Sequence, residues 1–228
     1  MKRIIAIIAL LVSLCVFGVS VAETPNIPKF EGIFSVRNGI SFGMSGADVE
    51  AIETGLGSKK ENTSDKLQFK GSAAGYDETN IRYYFNKGFN DLFTFDYEIG
   101  RYADWTQSEG TQVYEELVNT MLAKYGDPFH SAKDGELFPI LSSAYNFLGV
   151  VKDYYNLRDF NQWIVEYDDG YIIIDAVLSQ MDRSIISSSY PYFCHIGYKR
   201  ITKEQFDQVM QQVAEKQQNK EDAKNNDL

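Results

Sequence analysis

Cys194 and His195 are adjacent, and a thiolate beside an imidazole is a nucleophile–base pair able to carry acyl transfer. Neighbours on a strand point to opposite faces, however. Within the strand expected over Tyr192–Ile201 the two cannot form a dyad without a bulge. Cys194 therefore reads as a buried, inert thiol. Asp175 stands in the run Ile172-Ile173-Ile174-Asp175-Ala176-Val177, and Glu166 on the strand before it. A tight turn joins the two strands, so these carboxylates could approach each other and do the general acid/base work of a hydrolase. Alternation offers a plainer reading: with Ile172 and Ile174 toward the core, Asp175 lies on the other, wetter face. Asp168 and Asp169 could bind a cation. The Asp-x-Asp-x-Asp-Gly pattern with its distal Glu is missing, though, and a turn explains both residues. Two histidines, His130 and His195, with the one cysteine that remains once a leader containing Cys15 is removed, make a poor zinc set. Gly55 and Gly57 flank Leu56 without a following Lys-Ser/Thr, so they do not make a phosphate-cradling loop. No cofactor and no metal site is expected.

Aromatic side chains are the other chemical resource. The chain holds 15 Tyr, 15 Phe and 2 Trp in 228 residues. Many suit the core of a sheet. Tyr83-Tyr84, Tyr154-Tyr155 and Tyr190-Pro191-Tyr192 crowd together, and the adjacent pairs must point to different faces, so some rings are expected to meet solvent or a partner. Tyr83, Tyr84, Tyr154, Tyr155, Tyr190 and Tyr192 are thus the candidate binding residues. An acidic, Tyr-rich sheet face suits a basic protein, a peptide or a glycan.

The elements that must position these groups are legible as patterns. Ser45 is an N-cap candidate with Asp48 three residues on. Met44 and Val49 form a hydrophobic staple; Val49, Ile52 and Leu56 share a face, and Gly57 ends the helix. Val36 to Phe42 precedes it as an extended stretch. Lys66–Lys70 alternates. Asn80–Phe85 carries Ile81, Tyr83 and Phe85 on one face, and Leu92–Ile99 returns after an Asn86-Lys87-Gly88 turn with Phe93, Phe95, Tyr97 and Ile99. A second helix is expected over about 111–125, with Val113, Leu117 and Met121 inward and Gly126 and Pro128 as stops. Over 129–161, apolar spacing of three and four suggests a helix at 137–155, apolar around most of its circumference. Trp163–Tyr167 and Tyr171–Leu178 flank Asp168-Asp169-Gly170 as a hairpin, because Asp-Gly suits the positive φ of a tight turn. Thr202 with Gln205 makes a capping box for a last helix, whose stripe is Phe206, Val209, Met210 and Val213. Strands paired by hairpins, with helices before, between and after, imply an α+β fold with helices packed against an antiparallel sheet.

Lys2 and Arg3, the apolar run Ile4 to Val19 and Ser20-Val21-Ala22 together have the form of a secretory signal peptide over 1–22, too short to span a membrane. The expected organisation is a lead-in at 23–35, one domain at 36–213 and a polar, disordered tail at 214–228. The net charge is −10, and losing the leader would make it more negative. That disfavours nucleic acid, and no other segment is apolar and long enough to span a membrane. The expected location is extracellular or periplasmic.

Gly39-Ile40-Ser41-Phe42-Gly43-Met44-Ser45, followed by Val49 and Gly57, resembles the opening of proteins related to β-lactamase inhibitory protein and of the small lipoprotein of the outer-membrane assembly machine. Tyr83-Tyr84-Phe85 with Leu92, and Tyr125-Gly126-Asp127-Pro128 after a helix, are similar to secreted members of that broad group. The resemblance covers 36–128 and, more loosely, 162–178. It implies helices on an antiparallel sheet and a protein-binding role, and it transfers no inhibitory residue to this chain. The expected function is that of an exported, non-enzymatic binding or interaction protein, inhibitor-like in its resemblance; the alternative is a secreted hydrolase working through Asp175 and Glu166.

Overall fold

The computed structural model describes residues 27–86, 88–101, 103–133, 155–181, 191–208 and 210–211. The expected leader at 1–22, the tail at 214–228 and nearly all of the expected helix at 137–155 lie outside them. Tyr155, read into that helix from its spacing, instead opens a strand.

The fold is α+β. A small hairpin of β1 (Ser35–Arg37) and β2 (Ile40–Ser41) leads into α1 (Gly46–Gly55). Then follow β3 (Lys59–Glu61), β4 (Leu67–Ala73), β5 (Tyr76–Asn86) and β6 (Asp91–Ile99). After α2 (Gln107–Tyr125) come β7 (His130–Lys133), β8 (Tyr155–Tyr167), β9 (Gly170–Met181) and β10 (Tyr192–Thr202). Strands β3 to β10 form one antiparallel sheet in the order β3-β4-β5-β6-β10-β9-β8-β7. Among the described elements the chain therefore runs twice through a helix followed by four strands. The last strands of the two halves, β6 and β10, meet antiparallel at the centre, with Ile196 opposite Tyr97.

Both helices start where local chemistry tells them to. The Ser45 hydroxyl accepts the Asp48 amide at 3.3 Å and donates to the Asp48 carboxylate at 2.7 Å. Thr106 and Glu109 make a full capping box, which starts α2 four residues earlier than hydrophobic spacing suggests. Each helix then packs on one sheet face. Val49, Phe69, Ile81, Tyr83, Phe95, Val113, Leu117, Trp163, Ile174 and Ile196 belong to one continuous core there. In α1 the expected stripe is only partly right. Leu56 is 45% exposed, while Glu53, not an apolar residue, is fully buried. In β6 a register shift against Tyr84/Phe85 gives the core position to Leu92 rather than Phe93.

The β8–β9 turn differs from expectation in its mechanism. Its positive φ is at Asp168 (53°), and Gly170 already pairs with Tyr167 as the first residue of β9. A Cβ on Gly170 would lie 2.2 Å from the Ile201 carbonyl oxygen. Glycine is required there for the close approach of β10.

A second, smaller apolar cluster occupies the opposite sheet face. Ile164, Ile173 and Ile201 meet Phe206 from the helical residues 203–208, and the Phe206 and Tyr171 rings are 4.1 Å apart. The expected Thr202–Gln205 box starts that helix: the Thr202 amide donates to the Gln205 side chain at 2.9 Å, and the Gln205 amide to the Thr202 hydroxyl at 3.2 Å. Among the described residues no helix is long and apolar enough to cross a membrane.

Candidate functional site

Strand alternation turns one side chain of every two away from α1 and α2, and on the five strands from β5 to β8 those side chains are largely polar. Register brings Arg82, Asp96, Gly197, Asp175 and Gln162 into one row across β5, β6, β10, β9 and β8. The next row holds Asn80, Glu98 and His195; the row on the other side holds Tyr84, Thr94 and Lys199. Asp96 and Gln162 are 0% exposed and Asp175 is 8% exposed. This face is not the wet one expected for Asp175.

Its charges are tied to one another. Arg82 donates from Nε to Asp96 at 2.6 Å and from Nη2 to Glu98 at 2.9 Å. Arg101 donates to the second Glu98 oxygen at 2.7 Å. His195 Nε2 lies 3.6 Å from Asp96, and Gln162 donates to Asp175 at 2.8 Å. Burial would raise the Glu98 carboxyl, but Arg82 and Arg101, with help from His195, outweigh it and hold the group down at about 2. Burial likewise acts to lower the Arg82 pKa, and the Asp96 and Glu98 charges reverse that. Asp175 has no such guanidinium. Burial pushes it up to about 6 against the Gln162 hydrogen bond and the charges of His195 and Lys199. Burial lowers Lys199, with Asp175 opposing.

Four buried atoms of this face have no hydrogen-bond partner among the described residues: Asp96 Oδ2, Gln162 Oε1, Thr94 Oγ1 and Ser179 Oγ. Buried polar atoms in folded proteins nearly always find partners, so four on one face leave hydrogen-bonding capacity unused inside the fold. Gly197 contributes no side chain, so Asp96 and Asp175 flank bare backbone.

The arrangement is poorly suited to acid/base chemistry. Glu166 pairs with Tyr171 and Asp175 with Gln162, four residues farther along β8, so the two carboxylates are about 13 Å apart. They do not converge as the tight turn suggested. Cys194 and His195 do point to opposite faces. Cys194 sits in the helix-side core against the Gly110 carbonyl, and burial pushes its thiol up to about 12. Among the described residues no group of three or more His, Cys, Asp or Glu side chains is placed to hold a metal ion.

The six candidate tyrosines do not form one face. Tyr83 is buried on the helix side, where its hydroxyl donates to Glu53, and Tyr192 is buried in the same core. Both are therefore unavailable to a partner. Tyr84 lies on the opposite face, half-buried, with Lys66 Nζ 5.8 Å from its ring centre. Tyr155 lies in β8, and Tyr154 and Tyr190 fall outside the described residues. Sequence reasoning missed Arg82, Asp96, Glu98, Arg101 and Gln162. Their signal was available only as opposite charges at positions that the β5–β6 register makes neighbours, as Arg82 and Asp96 are. Compared with protein-family models, curated proteins and solved structures, the chain matches none.

Proposed function

We propose that this is an exported, non-enzymatic binding protein that engages donor-rich groups of a basic protein or peptide. The observation that carries the reading is the excess of carboxylates, 32 Asp and Glu against 22 Lys and Arg, with exposed members such as Asp65 and Asp207. Lysine, arginine and peptide amides supply the donors that carboxylates take. The net charge of −10 favours encounter with a basic partner. The resemblance of residues 39–57 to a group of protein-binding secreted proteins supports the same reading.

Calorimetric titration of the full chain with an oligo-arginine peptide, beside an oligo-glutamate control, tests it. Saturable binding of the basic peptide alone, weakened by added salt at unchanged circular dichroism, is expected. Equal heats from both peptides would refute the reading. So would turnover of a chromogenic ester, glycoside or peptide that disappears in Asp175→Asn.

A further inference from the structure

A cavity of about 380 Å³ lies where β5 begins and β6 ends, among Lys70, Tyr76, Glu78, Gly100, Arg101 and Trp105. That volume falls within the range of about 300–1,000 Å³ typical of small-molecule sites. Its aromatic floor is fixed from separate elements. The Trp105 carbonyl accepts the Tyr192 amide at 3.0 Å, which ties the 100–105 loop to β10. The indole rests on Gly100, whose φ is +79° and where any Cβ would lie 2.2 Å from the ring. Tyr76 meets Trp105 edge-on, centroids 6.2 Å apart, and its hydroxyl donates to Glu116 of α2 at 2.8 Å. Two rings held in this way lose little freedom when a ligand arrives.

The charged lining is already paired. Lys70 bridges Glu78 at 2.6 Å, Arg101 bridges Glu98 at 2.7 Å, and Asp77 accepts from Ser72. Lys70 and Arg101 balance Asp77 and Glu78, so the cavity has no net charge with which to select an ion. Ionised groups still offer strong hydrogen bonds to neutral hydroxyls. An apolar ring without polar substituents would cover these groups and leave them poorly satisfied, at a cost. A ring with one apolar C–H face and a rim of hydroxyls meets both demands. We infer that this cavity is a binding subsite for a neutral saccharide ring, stacked on Trp105 and oriented by Lys70, Arg101 and Glu78. Glu78 is 76% exposed, which leaves that side accessible. The inference does not use the acidic charge balance and stands or falls apart from the proposed function.

The two tryptophans make the test direct. Trp163 is buried, with its indole N–H on the Gly126 carbonyl at 2.9 Å, so a ligand-induced change in emission reports Trp105. The full chain is titrated with glucose, N-acetylglucosamine, cellobiose and chitobiose, with glucuronate and glucosamine as charged controls. A saturable change in emission is expected with at least one neutral sugar, and weaker binding of the charged ones. Trp105→Ala should abolish the optical signal, and by calorimetry its affinity should fall by more than about tenfold. Lys70→Met keeps both rings and should weaken binding severalfold, so the test survives if Trp105→Ala does not fold. No saturable response to any neutral sugar up to tens of millimolar overturns the inference. So does preference for a charged sugar, or binding that neither variant weakens.

Discussion

Glu53 is a carboxylate with no route to water, and every atom around it answers that fact. Arg37 donates to it at 2.6 Å, Ser58 at 2.5 Å, and Tyr83 donates its hydroxyl. Arg37 also reaches the Ser72 carbonyl at 2.8 Å, so a single ion pair ties the end of α1 to the first hairpin and to β4–β5. Removing one member of such a pair leaves the other charged and buried, at about 3–5 kcal/mol. Glu53→Gln should therefore lower the denaturant midpoint by that order, while Arg37→Met with Glu53→Gln should cost less than the two single changes added together. Additive losses would show that the pair is not the unit of stability. Glu53 also shows where reading residues by type stops. A Glu four residues after Val49 and one before Thr54 looks like a solvated helix position, and nothing local says that Arg37 will cover it. The same holds for Arg82 and Asp96, each flanked by apolar residues in its strand: alternation assigns their face, but only cross-strand register gives them each other.

At the level of elements, the local signals are short-range, and so is what they disclose. The Ser45 cap, the Thr202–Gln205 box and the alternation in 80–85 and 92–99 depend on residues within four of one another, and the structure contains all of them apart from Phe93, whose core place Leu92 takes. Ser45→Ala should cost about 1 kcal/mol, read as a shift in denaturant midpoint; an unchanged midpoint would mean that the hydroxyl does not hold the α1 start. The tight turn after β8 is legible too, but its glycine is not, because the atom that forbids a side chain at Gly170 belongs to Ile201, on the next strand in the chain, β10. Two substitutions separate the roles. Gly170→Ala should destabilise by about 1–3 kcal/mol through the clash with β10. Asp168→Gly, at φ 53°, should be neutral or stabilising by a few tenths of a kcal/mol because it relieves the left-handed backbone. The reverse ranking in thermal melts would return the positive φ to Gly170. Tyrosine crowding disclosed least, since pattern places neighbours on opposite faces but does not say that Tyr83 and Tyr192 will both be buried.

Across the whole molecule, two carboxylates of the polar face oppose each other as pH changes. Glu98 is held at about 2 when folded, against 4.5 when free, so its contribution is complete above pH 4.5 and is lost as pH falls toward 2. Asp175 is raised from 3.8 to about 6, so the folded chain binds its proton more tightly than the unfolded chain, and stability falls as pH rises between those values. Each effect is of order 3 kcal/mol. Together they place the maximum of these two contributions near pH 4, on the acid side of neutrality. In denaturation series from about pH 3 to 8, Asp175→Asn should remove the decline between pH 4 and 6 and leave the acid limb in place. An unchanged decline would assign it to another group. The central position of β10 has a further consequence, in time rather than in space. On the ribosome, β6 and β9 are both made before the strand that will lie between them, and each waits with one long edge unpaired. Until residues 192–202 emerge the two halves share no ladder, because Cys194 to Lys199 supply every pairing to β6. Chain order thus postpones joining of the halves until near the end of synthesis. Between the completion of β9 and the emergence of β10 the polypeptide has two incomplete sheets, dependent on whatever keeps their edges apart.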